Sequence, residues 1–349
     1  VTELVLTADA GWFGGDTLSG PVAVAVADGM ITWAGAPAEG PAAPAHHVDG
    51  VLLPGLVDHH VHTDLVEYTA LPSAGVTTAV DLGAVATRVF RLAAESCLPG
   101  FDGPRVLAAG PFLTAPGGYP TDREWALDGM AWEIGSPESA SRAVRALAPH
   151  RPVTVKVALN SEAGPVFDDA TLRALVATAH RSGLTVTAHT EGAGQTSRAV
   201  AAGVDVLAHT PWSERLGDEL LGRMARQVAV VSTLDIHGRG VDSPQRETAV
   251  SNLRRFHALG GRVRYGTDLG NGPLPLGVNG SELDALRAAE LTPAEIVRAL
   301  CRETGGVRIP ADLVAVPEDP LTAPEVLARA RTVVHRGTVL PSTTPEGTP

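Results

Sequence analysis

The 349-residue sequence predicts an α/β fold, a (β/α)8 TIM barrel with a small β-sandwich built from the N- and C-terminal segments. Three observations predict it. Eight apolar runs of strand length recur between residues 55 and 305, and helical segments lie between most of them. Short strands separated by turns cluster at both ends. No Gly-x-Gly-x-x-Gly turn follows an early strand, which argues against an open doubly wound sheet.

Residues 4–6, 22–27 and 30–34 read as strands, with the turn Ala27-Asp28-Gly29 between the last two, and a Pro/Ala/Gly-rich loop follows from 35 to 45. The barrel begins with the run that ends at His62. Its further strands are expected at 76–82, 105–112, 153–159, 185–189, 204–209, 228–234 and 262–267. Among the helices, residues 168–182 carry Leu172, Leu175, Val176 and Ala179 on one face, with Gly183 where a C-cap belongs. Thr292-Pro293-Ala294-Glu295 is a capping box with proline at the first helical position. Residues 311–316 and 332–339 return as strands, the second run carrying an Arg336-Gly337 turn. The domain boundaries that follow are 1–54 with 306–340 for the sandwich and 55–305 for the barrel. The Pro/Thr/Glu/Gly tail, 341–349, is expected to be disordered. The first crossover, residues 63–75, has room only for a short helix.

Composition limits the function. A net charge of −12 argues against a nucleic-acid or anionic-membrane binder, which works through clustered cations. The two cysteines, Cys97 and Cys301, form neither a disulfide framework nor a thiol metal motif. With no signal-like opening and no apolar run long enough to span a bilayer, the expectation is a cytoplasmic protein acting on a small molecule, with homo-oligomerisation left open. Of the 27 basic residues only Lys156 is a lysine. A GC-rich bacterial genome would favour that arginine bias.

The strongest local signal is Pro54-Gly55-Leu56-Val57-Asp58-His59-His60-Val61-His62. On a strand, residues i and i+2 share a side, so His60 and His62 can share a metal ion while His59 points away. A His-x-His pair alone also fits a solvated strand end. Other strand ends add to it. His189 and His209 close the expected fifth and sixth strands, and Asp268 closes the eighth. Lys156 sits among Val155, Val157 and Ala158, where a charged ammonium needs a partner. Lysine, unlike arginine, can be deprotonated when buried.

The Pro-Gly-Leu-Val-Asp-x-His-x-His stretch resembles the signature of the amidohydrolase superfamily. Residues 75–83, 103–110 and 311–320 resemble its second strand, third strand and returning C-terminal segment. The imidazolonepropionase-like and prolidase-like branch is the nearest in appearance. The resemblance implies that His60, His62 and Asp268 bind one metal ion and that His189 and His209 bind a second. Lys156, N6-carboxylated, would bridge two divalent ions, zinc being the first expectation. A metal-bridging hydroxide would then attack a carbonyl, with Asp268 shuttling the proton in cleavage of an amide, cyclic amide or peptide-like C–N bond.

Around this set, Asp58 is placed to orient His60. Tyr119 stands where many relatives carry the histidine of Gly-Gly-His, so it becomes a candidate donor to the carbonyl oxygen. His237, Arg123, Trp212 and Asn271 are candidate pocket residues, whereas His46, His47, His150, His180, His257 and His335 read as loop or helix residues. A lactone or ester hydrolase would use the same ligands, and a non-catalytic scaffold would keep only the barrel. A mononuclear deaminase would lack the bridging lysine.

Overall fold

The computed structural model describes residues 4–301 and 309–340; the expected tail at 341–349 and the start of the C-terminal return lie outside the described residues. Parallel strands run in two groups. Leu56–Val61, Val76–Asp81 and Arg105–Ala108 form one sheet, with a register shift along the first pair. The second joins Ala131–Glu133, Phe112–Thr114, Val155–Asn160, Val186–Glu191, Val206–Leu207, Ala229–Val231 and Arg262–Arg264. The expected third strand is therefore interrupted at Ala109-Gly110-Pro111, where Gly110 takes φ +89° and Pro111 offers no N–H for a ladder.

Single backbone hydrogen bonds connect the two groups. His59 N–H donates to Tyr265 O (3.0 Å) and His62 N–H to Leu269 O (2.8 Å), while Val153 N–H donates to Ala108 O (2.9 Å). Val76–Asp81 and Val155–Asn160 are buried at every position, as parallel strands covered on both faces are.

Helices lie between most of the strands, and their ends follow the caps in the sequence. Asp168 accepts from Thr171 N–H at the start of Asp169–Arg181, and Gly183 beyond its end takes φ +71°. Thr292 and Glu295 form both halves of the capping box that opens Pro293–Leu300. The first crossover holds no α-helix. It is made of two 3-10 turns, Thr63–Leu65 and Tyr68–Ala70.

The terminal segments build two five-stranded sheets. One runs Ile309–Pro310, Met30–Gly35, Val22–Ala27, Leu4–Ala8, Ala45–His47. The other runs Ala10–Gly11, Val51–Pro54, Leu313–Val316, Thr332–His335, Thr338–Val339. Leu6, Val24 and Val26 from the first sheet share a core with Leu52, Leu313 and Val334 from the second. The expected strand at 332–339 is a hairpin, because Arg336 and Gly337 both take positive φ and reverse the chain. Three histidines differ from expectation. His335 is a buried strand residue held by Asp312 (2.9 Å) and Gly103 O (2.9 Å), and His46 and His47 belong to an exposed edge strand.

The capping box makes a direct prediction. Thr292→Ala should lower stability by about 1 kcal/mol, read as a shift of the urea midpoint at unchanged slope.

Candidate metal centre

Six side chains from five strands of the sheets reach one cavity of about 120 Å3. His60, His62, Lys156, His189, His209 and Asp268 all line it, and all six are buried. The imidazoles form a chain. Ring centroids lie 5.2 Å apart for His62 and His60, 4.6 Å for His60 and His209, and 4.9 Å for His209 and His189. His60, His62 and Asp268 are the tightest group, with one donor atom from each inside 4.8 Å of the others. His60 Nε2 is 3.1 Å and His62 Nε2 3.2 Å from the same carboxylate oxygen, Asp268 Oδ1.

The opposite ring nitrogens show why those atoms face the cavity. His60 Nδ1 donates to Ala208 O (2.8 Å) and His62 Nδ1 to Gly83 O (2.8 Å), which leaves each Nε2 with a lone pair when the ring is neutral. His209 Nδ1 pairs with Thr233 Oγ1 (2.9 Å), and His189 Nε2 with Glu191 Oε2 (3.3 Å). Each imidazole is thus turned by a bond on one nitrogen while the other remains for a metal. Asp268 and Thr233 both sit at positive φ, +61° and +41°, a region that residues with a Cβ rarely occupy. Gly83 must be glycine: at φ +155° a Cβ there would lie 2.1 Å from Phe112.

Electrostatics follow from burial. Burial alone would raise the Asp268 carboxyl, but His60, His62 and His209 hold it well below the usual carboxylate range. Burial lowers His60, His189 and His209, whereas the Asp268 carboxylate outweighs burial at His62 and raises it. Burial also pulls the Lys156 ammonium down to about 7, against the pull of Asp268 and Asp81. Lys156 Nζ is fully buried with no hydrogen-bond partner and lies 5.4 Å over the Phe112 ring. Such a donor set, with four imidazoles, one carboxylate and an amine without a hydrogen-bond partner, fits a divalent cation.

The other expected residues separate. Asp58 does support His60, but through the backbone: it accepts from His60 N–H (2.9 Å), Thr267 N–H (3.1 Å) and the Thr267 hydroxyl (2.5 Å), tying the first strand to the last. Burial pushes its carboxyl up to about 7. Tyr119 stacks on His189 at 5.1 Å and lines the cavity; burial pushes its hydroxyl above the ordinary value, so it stays a neutral donor. Asn271 lines it too and donates to Asp268 Oδ2 (2.8 Å). Trp212 lies edge-on to His189 and His209, and His237 packs behind it at 4.3 Å, away from the cavity lining. Arg123 sits over Tyr119 at 5.8 Å and pairs with Asp122 (3.1 Å), also behind the lining.

Sequence reasoning missed Phe112, Trp125 and Leu65 as walls, and Asp81 as a brace. Asp81 accepts from the Thr63 backbone and hydroxyl (2.8 and 2.6 Å) and from Gly83 N–H (2.9 Å), fixing the loop that carries His62's partner. An acid at a strand's C-terminal end was the available signal for Asp81. Trp125 lies in an irregular segment, where no periodicity exists to place it.

The amidohydrolase family's sequence profile matches residues 51–337. This chain belongs to the amidohydrolase family. Uncharacterized proteins of Mycobacterium tuberculosis and Mycobacterium bovis are 28% identical over 326 residues, covering 82% of this chain and 85% of theirs. A provisionally designated prolidase from Bifidobacterium longum superposes with a TM-score of 0.80 at 27% identity, covering 99% and 96% of the two chains. A Xaa-Pro dipeptidase with bound methionine in its active site gives 0.77 at 20% identity, covering 97% and 99%, a likeness of fold. The architecture is an α/β amidohydrolase fold resembling TIM-barrel relatives.

Lys156 yields a test without turnover. Its folded value of about 7 lies below its ordinary 10.5, so between those values the unfolded chain binds more protons. In chelator-treated, CO2-free protein its burial penalty should be full below about 7 and fade as pH rises toward 10.5. Lys156→Met should therefore stabilise that protein at pH 6 by a few kcal/mol, a gap shrinking toward pH 10, in urea titrations across pH.

Proposed function

We propose that this protein is a binuclear metal-dependent hydrolase that cleaves an amide or peptide-like C–N bond in a small substrate. The observation that carries the reading is the convergence of His60, His62, Lys156, His189, His209 and Asp268 on one buried cavity. In this reading His60, His62 and Asp268 would hold one ion and His189 and His209 the second. Lys156, its neutral amine having added to CO2 with loss of a proton, would supply a carbamate as a further anionic ligand. The fold of the proposal is a closed (β/α)8 barrel over residues 55–305, with residues 1–54 and 306–340 as a separate sandwich.

Bound divalent cations, zinc first among them, would polarise the scissile carbonyl and acidify the attacking water. Asp268 accepts the proton from that water and returns it to the leaving nitrogen. Asn271 steadies the carboxylate while it does so. Tyr119 offers a neutral hydroxyl to the developing oxyanion. Phe112, Tyr119 and Trp125 give the cavity aromatic walls, which suit a compact apolar group beside the scissile bond. The prolidase designation and the dipeptidase among the similar structures favour a dipeptide-like substrate over an ester or lactone.

Elemental analysis of the purified protein should find about two divalent ions per chain, and dipeptides should be turned over faster than matched lactones or esters. Asp268→Asn should lower kcat about 10²–10⁴-fold. A metal-free protein, or an unchanged kcat in that variant, would overturn the reading.

Lys156→Ala should lose activity and regain part of it with a short carboxylic acid. Full activity with two metals in Lys156→Arg would exclude the carbamate.

A further inference from the structure

An arginine stands at the edge of the metal cavity with its charge unspent. Arg239 is exposed and follows the 3-10 turn Asp235–His237, in the loop after the strand Ala229–Val231. A Cβ added to Gly272 would lie 2.5 Å from Arg239 Nη2 and 3.0 Å from its Cζ, so the guanidinium rests directly on that glycine. Gly272 itself lines the metal cavity. Among the described residues Arg239 makes no ion pair and no side-chain hydrogen bond. By contrast Arg123, behind the lining, pairs with Asp122 (3.1 Å), and Lys156 is sealed within.

The backbone that carries this arginine is held firmly. Arg239 takes φ +50°, a region rare for residues with a Cβ. Its N–H donates to Asp235 O and that of Gly240 to Asp235 Oδ1, both at 2.6 Å. Asp235 is braced in turn: its Oδ2 accepts from Asn279 Nδ2 (2.8 Å) and its N–H donates to Glu282 Oε2 (2.7 Å). Asp235, Asn279 and Glu282 are all buried, so a buried polar network fixes the point from which an unpaired cation projects.

The short turn Gly270-Asn271-Gly272 lies between this guanidinium and the reacting groups. A Cβ on Gly270 would meet His62 Cβ at 3.0 Å, Asn271 donates to Asp268 Oδ2 (2.8 Å), and Gly272 carries Arg239. In the proposed hydrolysis Asp268 returns a proton to the leaving nitrogen, which puts the leaving group on this side of the cavity. In a dipeptide, a single carbon separates that nitrogen from the terminal carboxylate.

We propose that Arg239 binds the terminal carboxylate of the leaving amino acid and so restricts the enzyme to substrates that end there. The inference rests on the hydrolytic reading for the direction in which the substrate lies. The pairing itself is a charge-assisted contact of the fork-shaped kind that arginine makes with carboxylates.

Titration calorimetry of the holoprotein compares the N-acetyl derivatives of alanine, proline and leucine with their primary amides, which lack only the terminal charge. The acids should bind about 10- to 100-fold more tightly than the amides, the worth of a hydrogen bond to a charged group. Arg239→Met should erase that preference by weakening the acids, and Arg239→Glu should invert it. Kinetics should repeat the pattern, with Arg239→Met lowering kcat/KM for free dipeptides by the same factor relative to dipeptide amides. Equal affinity of acid and amide, a preference that survives in Arg239→Met, or no binding of any acid overturns the proposal. Equal kcat/KM for both dipeptide series in a two-metal protein would sink it and leave the hydrolytic reading intact. A metal-free protein without turnover, in which Arg239→Met still erases the acid preference, would remove that reading and keep Arg239 as the carboxylate site.

Discussion

Burying six ionisable side chains in one small cavity is possible only if their charges are balanced, and Asp268 supplies the balance. It faces two imidazoles through one oxygen and accepts from Asn271 through the other. Without an anion at that point, any protonation of the histidines would place unpaired charge in a water-poor interior. The rest of the centre is arranged around this. Imidazoles that stay neutral can present lone pairs, and an amine that burial pulls toward neutrality can act as a nucleophile.

The surrounding chain works mainly to hold directions. Backbone carbonyls of Ala208 and Gly83 fix two rings, and the Thr233 hydroxyl fixes a third from an unusual backbone conformation. Asp58 and Asp81 contribute by pinning backbone. One joins the first strand to the last, and the other holds the loop after His62. Removing such a brace should displace a ligand rather than delete it, which is why supports of this kind matter as much as donor atoms.

Much of this was legible in the sequence for a definite reason. Five of the six central residues stand at the ends of apolar runs and Lys156 stands inside one, and period-2 alternation indicates which side of a strand they take. Caps at Asp168 and Thr292 were legible because their chemistry is local. What escaped depends on distant packing. Trp125 becomes a wall only because an irregular segment folds over Phe112, and His237 is held off the cavity by Trp212. The break in the third strand at Gly110-Pro111 was written in the residues, yet the run of apolar neighbours masked it. The His335 contacts with Asp312 and Gly103 join segments more than 200 residues apart at one end, beyond any local pattern.

The single lysine has a practical meaning for how the chain reports its own motions. Amine-directed reagents have one side-chain target, and that target is sealed beneath Phe112 at zero exposure. Acylation of Lys156 would therefore be a clock for opening of the strand that carries it, free of the background that surface lysines create elsewhere. Its rate would measure local unfolding at the heart of the molecule, in the same free-energy scale as amide exchange but at one chosen atom.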